Sequence, residues 1–135
     1  MRSILTILLF AAFTMLTASV EARPGRSLVS VQLHKEKSVP GAGFKIKFVE
    51  MVEDSRCPTG TTCIWAGNAK VKIEVRGGRD GTKTFELNST TQPTVVNYAG
   101  YDIKLMSLTP KPAANVRIDP DKYLASFEVA RKKGK

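Results

Sequence analysis

The stretch that decides the fold is Ala69-Lys70-Val71-Lys72-Ile73-Glu74-Val75-Arg76, residues 69–76. Its odd-numbered residues are all apolar and its even-numbered residues are all charged. Because successive side chains of a β-strand point to opposite faces, this pattern is typical of a strand with one face in a core and the other in water. The next residues, Gly-Gly-Arg-Asp-Gly at 77–81, supply three glycines for a flexible hairpin connection. Phe85 and Leu87 mark the returning strand.

The same period of two recurs on both sides of this hairpin, in short bursts separated by Gly, Pro and Asn. The connections are too short for parallel crossovers, so we predict an all-β fold, a single antiparallel β-sandwich or barrel-like domain of about seven strands. The apolar Val49 directly follows the inward Phe48 and indicates a β-bulge at that point. Residues 119–122 are expected to hold one helical turn. Other side chains expected to face the core are Val29, Val31, Leu33, Phe44, Ile46, Ile103, Leu105, Tyr123, Ala125, Phe127 and Val129.

The N-terminal segment has the three zones of an export signal. Met1-Arg2-Ser3 is a positive start, residues 4–16 are an almost unbroken apolar run, and Val20-Glu21-Ala22 carries small residues where a signal peptidase cuts. An apolar run of this length is well short of the roughly 20 residues that span a bilayer. We therefore predict a signal peptide over 1–22, a β-sandwich domain over 23–135, and a secreted or periplasmic protein without a membrane span.

The chain carries a formal net charge of +9. This charge favours anionic partners such as nucleic acid or envelope polysaccharide, although an evenly solvated basic surface has the same composition. The basic C-terminal tail, residues 131–135, contributes four of the cations. Four further lysines could line one sheet face if their strands are neighbours: Lys45, Lys47, Lys70 and Lys72.

The two cysteines, Cys57 and Cys63, predict a disulfide, because an even count in an exported protein indicates pairing. Their spacing, without a nearby histidine, is a poor match for zinc. A bridge here closes a loop of seven residues, which stabilises the fold by about 2.4 kcal/mol according to loop-closure entropy.

Residues 53–67 read Glu-Asp-Ser-Arg-Cys-Pro-Thr-Gly-Thr-Thr-Cys-Ile-Trp-Ala-Gly. This segment resembles one shared by small exported bacterial proteins of unassigned function, which carry E-D-x-R-C-P…C-x-W-x-G between two β-strands. The resemblance implies export, bacterial origin and a β fold, and it brings no activity with it.

We predict that this segment is a binding loop whose candidate residues are Glu53, Asp54, Arg56 and Trp65. Two interpretations are open for each. Trp65 either packs on the disulfide as a core residue or is part-exposed as an anchor for a partner. The three charged residues either form a local ion-pair network or contact a ligand.

We predict no catalytic residue, metal ligand or cofactor. The single histidine, His34, ends the first strand as an edge residue, and no hydrolase, metalloprotease or phosphate-binding motif is present. The weak alternatives are a copper site at His34, Met51 and Met106, and a calcium site at Glu53 and Asp54.

The function expected from the sequence is therefore an exported, non-catalytic binding or inhibitory module that presents its disulfide-pinned loop to an envelope or extracellular protein. A basic anion-binding protein is the first alternative and an uncharacterised enzyme is the second.

Overall fold

The computed structural model describes residues 25–134, so the predicted signal peptide lies outside the described residues. Within that range the chain forms eight β-strands and one short 3₁₀ turn. No described helix is long and apolar enough to cross a membrane. The strands are β1 Arg26–Gln32, β2 Glu36–Ser38, β3 Lys45–Asp54, β4 Ala69–Arg76, β5 Lys83–Asn88, β6 Val95–Tyr98, β7 Tyr101–Thr109 and β8 Leu124–Arg131.

The described strands form two four-stranded sheets, in the orders β1-β8-β7-β6 and β2-β3-β4-β5. Every neighbouring pair is antiparallel, which confirms the predicted all-β sandwich. The additional strand is β2, which the sequence pattern does not predict. Its three residues, Glu36, Lys37 and Ser38, are all polar and therefore carry no alternation signal.

The core lies between the two sheets and contains the side chains that the alternation predicts. The inward residues of β4 are fully buried, and Phe48, Tyr98 and Phe127 are the largest side chains at the centre. Phe85 and Tyr101 are only partly buried but pack against this core. The ring of Phe44 meets Tyr98 edge to face, with centroids 5.1 Å apart.

The predicted bulge in β3 is confirmed. Phe48 pairs with Ile73 and Glu50 pairs with Lys72, so Val49 is the extra residue between them. A second irregularity follows between Met51 and Glu53. These irregularities shift the phase of the alternation along β3, and Val52 is 40% exposed near its end.

The sandwich has two ends, which we name the loop pole and the tail pole. The loop pole carries residues 55–68, 89–94 and 110–123. The tail pole carries the turn at residues 99–100, the turn at residues 77–82 and the chain beyond β8. Strand β7 runs from the tail pole to the loop pole, and its nine residues separate the two by roughly 30 Å.

Strand β6 is shorter than its neighbour β7. It pairs with β7 only from Tyr101 to Lys104, where Val95 is the last partner. Over residues 105–109 no described strand covers that edge of β7. This uncovered edge lies at the loop pole.

Candidate binding loop

The loop between β3 and β4, residues 55–68, is closed at its base and within it, and we name it the disulfide loop. At the base, the Ser55 N–H donates to the Asn68 carbonyl at 2.7 Å, and the Asn68 N–H donates to the Ser55 hydroxyl at 3.1 Å. Within the loop, Cys57 and Cys63 form the predicted disulfide, with Cα atoms 5.9 Å apart. The two closures fix the path of the chain into and out of the loop.

Arg56 fastens the disulfide loop to the end of β7. Its Nε and Nη2 donate to the two carboxylate oxygens of Asp54, each at 2.7 Å. Its Nη1 donates to the Leu108 carbonyl at 2.6 Å, and Nη2 also donates to the Pro110 carbonyl at 2.9 Å. The Arg56 side chain is only 15% exposed and the Asp54 side chain 12%. Asp54 and Arg56 therefore form the ion-pair network that was one of the two interpretations open for them.

Tyr123, the residue between the 3₁₀ turn Pro120–Lys122 and β8, completes this network, because its hydroxyl donates to Asp54 Oδ2 at 2.9 Å. Burial opposes ionisation of Asp54, but the hydrogen bonds from Arg56 and Tyr123 and the guanidinium charge outweigh it and hold the Asp54 pKa below its usual value. Burial, together with the hydrogen bond to Asp54 and its negative charge, raises the pKa of Tyr123 to about 12. At neutral pH the carboxylate is thus charged and the phenol is a hydrogen-bond donor.

The two neighbouring loops of the loop pole brace the disulfide loop from either side. On one side the Thr59 N–H and hydroxyl both donate to the Pro112 carbonyl, at 2.8 and 3.0 Å. On the other side the Thr90 hydroxyl donates to the Gly67 carbonyl at 2.6 Å. The loop is therefore held along both of its arms and at its base.

Gly67 is the position in the disulfide loop that most strictly needs glycine. Its φ is +69°, and a Cβ there would lie 2.5 Å from the Ser55 carbonyl oxygen and 2.8 Å from the Arg56 Cα. Both of those atoms are backbone, so neither can move aside without displacing the loop. The two arms of the loop can approach this closely only because residue 67 has no side chain.

The tip of the disulfide loop carries two large apolar side chains that are exposed to solvent. Ile64 is 97% exposed and Trp65 is 60% exposed. The interpretation in which Trp65 is a core residue packed on the disulfide does not hold, because more than half of its surface is open to solvent. In the neighbouring loop Val116 is 63% exposed, and it pairs with Ala113, which in turn pairs with Thr59 of the disulfide loop.

The sequence reasoning singled out Trp65 but missed Ile64 and Val116. The signal available for Ile64 was its place in a loop without strand alternation, where an apolar side chain has no core face to occupy. The fourth candidate, Glu53, is exposed and accepts a hydrogen bond from the Ser55 hydroxyl at 3.0 Å. The structure thus joins Asp54 and Arg56 in one network and leaves Glu53 and Trp65 outside it.

The four predicted lysines do share one sheet face, because β3 and β4 are neighbours, but glutamates lie among them. Lys45 pairs with Glu36 at 3.5 Å, and Lys72 pairs with Glu50 at 2.8 Å. In the strand register Lys47 lies opposite Glu74 and Lys70 lies opposite Glu53. This face therefore has no continuous basic strip.

The weaker metal-site alternatives have little geometric support. His34 is exposed in the turn two residues beyond the end of β1, at a positive φ of 65°. Met51 lies on β3, whereas Met106 lies on β7 of the other sheet. Within the described residues no three His, Cys, Asp or Glu side chains cluster closely enough to hold a metal ion. At the calcium alternative, Asp54 already binds Arg56 and Tyr123.

Comparisons of the chain with protein-family models, with curated proteins and with solved structures find no match.

Proposed function

We propose that this protein is an exported, non-catalytic binding module that inserts the tip of its disulfide loop into an apolar cleft of a protein partner. The observation that carries the proposal is the exposure of Ile64 and Trp65 side by side at the end of a braced loop. Single exposed apolar residues are ordinary on protein surfaces. Two adjacent large ones on a loop with fixed arms are a different case.

The contacts inside the loop separate its structural residues from the residues left free for binding. Asp54, Arg56, the two cysteines and Gly67 each have a role in holding the loop together. Ile64 and Trp65 are mostly exposed, and their side chains take no part in these bonds. Exposing two large apolar side chains to water is unfavourable, and the fold does not need them there. A partner that buries them on binding best explains their position.

A tip of this kind also matches the energetics of binding. A loop whose conformation is set before association loses little entropy on binding. Tryptophan is among the residues whose truncation most often costs 2 kcal/mol or more at interfaces. Because the Ile64 and Trp65 side chains are exposed to solvent, a concave apolar surface on the partner could bury both of them, and a cleft that is an active site would make the module an inhibitor.

The test is a capture experiment. The protein, expressed from its full-length sequence and recovered as processed by the host, is immobilised and exposed to envelope extract and culture medium at low and high salt. Captured proteins are identified by mass spectrometry, which on the bait itself also reads the N-terminus left by the predicted cleavage. The test variant is I64S/W65S. The matched control is L28S/V95S, which removes two apolar side chains exposed on the other sheet, 72% and 41% exposed.

We expect one protein to be retained at high salt by the wild type and the control, and to be lost with I64S/W65S while the unfolding curve stays unchanged. Retention by I64S/W65S would overturn the proposal. Capture of anionic polymers alone, and only at low salt, would favour the anion-binding alternative, because such binding falls steeply with ionic strength.

A further inference from the structure

The tail pole gathers cations from three parts of the chain. Arg131 ends β8, and its N–H donates to the Gly25 carbonyl at 2.8 Å, next to Arg26. The Lys132 N–H donates to the Gly100 carbonyl at 2.9 Å. A Cβ placed on Gly100 would lie 3.2 Å from Nη2 of Arg79, so that guanidinium also reaches this turn. We name Arg26, Arg79, Arg131, Lys132 and Lys133 the tail-pole cluster.

Few of these charges are neutralised. Arg26 lies 3.6 Å from Glu128, and Arg79 lies 3.7 Å from Asp80, but the two arginine side chains remain 62% and 75% exposed. Exposed pairs of this kind interact weakly. Within the described residues, the consecutive cations Arg131, Lys132 and Lys133 form no ion pair at all. The tail pole therefore differs from the lysine face of β3 and β4, where glutamates alternate with the cations.

The surface around the cluster is a shallow depression open to solvent. It is lined by Gly25, Arg26, Asp102 and residues 130–134, with no aromatic side chain among these described residues. Tyr101 lies opposite Arg131 in the strand register, but its ring is partly buried against Phe44, so it leaves no free platform for stacking the bases of a single-stranded nucleic acid. An isolated small anion would find no enclosing pocket. What the surface offers is several cations, all presented together at one end of the molecule.

We propose that the tail-pole cluster docks the protein onto an anionic phospholipid surface. Such a surface is a plane of phosphate groups on lipids that diffuse laterally. The phosphates can therefore pair with cationic side chains whose positions relative to one another are not fixed. Each basic residue close to it contributes roughly a fivefold gain in affinity. With the tail pole against the membrane, the disulfide loop points away from it, roughly 30 Å from the surface. The inference does not depend on the proposed function of that loop.

The test is sedimentation with vesicles of equal parts phosphatidylglycerol and phosphatidylcholine, and with pure phosphatidylcholine. The variant is R131Q/K132Q/K133Q. The matched control, K111Q/R117Q/K122Q, also removes one arginine and two lysines, all exposed, but from the loop pole. We expect the wild type to bind only the anionic vesicles, the tail-pole variant to lose about a hundredfold in affinity, and the control to lose less than fivefold.

A second readout reports the orientation. Trp65 is the only tryptophan and lies at the loop pole, so its emission should not shift to the blue when the protein binds vesicles. A blue shift, or equal losses in the two triple variants, would overturn the proposal. So would binding of duplex DNA or an anionic polysaccharide in place of vesicles, since the cluster would then serve another polyanion. The variant I64S/W65S should bind vesicles like the wild type, so failure of the loop proposal leaves this result unaffected.

Discussion

Arg56 binds one residue that is close to it in the sequence and two that are distant from it. Its pairing with Asp54, two positions away, is one of the interpretations that the sequence leaves open. Its bonds to the Leu108 and Pro110 carbonyls join residues more than fifty positions apart, and they exist only because the two sheets bring β7 beside the disulfide loop. Trp65 is the converse case, because an apolar residue two positions after a cysteine fits a core and a binding tip equally well until its exposure is known.

The hydrogen bonds of the Arg56 guanidinium to Asp54, Leu108 and Pro110 lead to a prediction about stability. Lysine keeps the charge at position 56 but cannot donate to Asp54 and two carbonyls at once. We expect R56K to lower the free energy of unfolding by about 2 kcal/mol, measured by urea denaturation at pH 7. The control is K45Q, which removes an exposed ion pair and should change that free energy by less than about 0.5 kcal/mol. Equal changes in the free energy of unfolding for R56K and K45Q would show that the bonds of the Arg56 guanidinium do not hold the loop.

The lowered pKa of Asp54 leads to a prediction about how stability depends on pH. Its folded-state pKa lies below its ordinary value of 3.8, so its contribution to stability is fully present above that value and is lost as the pH falls through the folded-state pKa. We expect the free energy of unfolding of the wild type to fall more steeply below about pH 4 than that of D54N. Urea denaturation at several pH values between about 2 and 7 gives both slopes. A constant offset between the two curves would contradict the prediction, since only the slope reports the carboxylate.

At the scale of elements, strands with strict alternation were predictable and strands without it were not. The sequence of residues 69–76 predicts β4 because each inward position is apolar. The bulge in β3 was predictable from the break in the alternation at Val49. Strand β2 carries no such signal, because it is held by its pairing with β3 and its three residues are polar. Strand order was also beyond the sequence, since many orders of the same strands would bury the same faces.

At the scale of elements, the disulfide loop leads to a prediction about what its bridge contributes to stability. Removing the bridge with C57S/C63S should lower the free energy of unfolding by about 2 kcal/mol, because it releases a loop of seven residues. The β-sheet signal in circular dichroism should persist, since the core lies between the sheets and the loop keeps its other bonds to Leu108, Pro112 and Thr90.

The tip itself should respond more strongly than the fold. We expect fluorescence anisotropy of Trp65 to show faster local motion in C57S/C63S than in the oxidised wild type. Reduction of the wild type serves as the second comparison, because it opens the same bond without a substitution. Identical anisotropy in all three samples would mean that the disulfide does not set the mobility of the tip.

At the scale of the whole molecule, the sandwich separates two surfaces of different chemistry. The loop pole presents apolar side chains on a braced loop, and the tail pole presents cations with few partners. The net charge of +9 was visible in the sequence, but its distribution was not, because it depends on which strands are neighbours. The pairing of β2, β3 and β4 places glutamates among one group of lysines, whereas the ends of β1 and β8 bring other cations together.

The uncovered edge of β7 has a consequence for how copies of this protein behave towards one another. An open strand edge is a template for a strand from a second molecule, and natural sandwiches cover or interrupt such edges. Here the pairing of β6 with β7 reaches no further than Val95 and Lys104, and the guanidinium of Arg56 binds the Leu108 and Pro110 carbonyls beyond that point. A second chain that paired along this edge would first have to displace a part-buried, charged hydrogen-bond donor. Arg56, which fastens the disulfide loop to β7, thus also hinders a second molecule from pairing along this edge of β7.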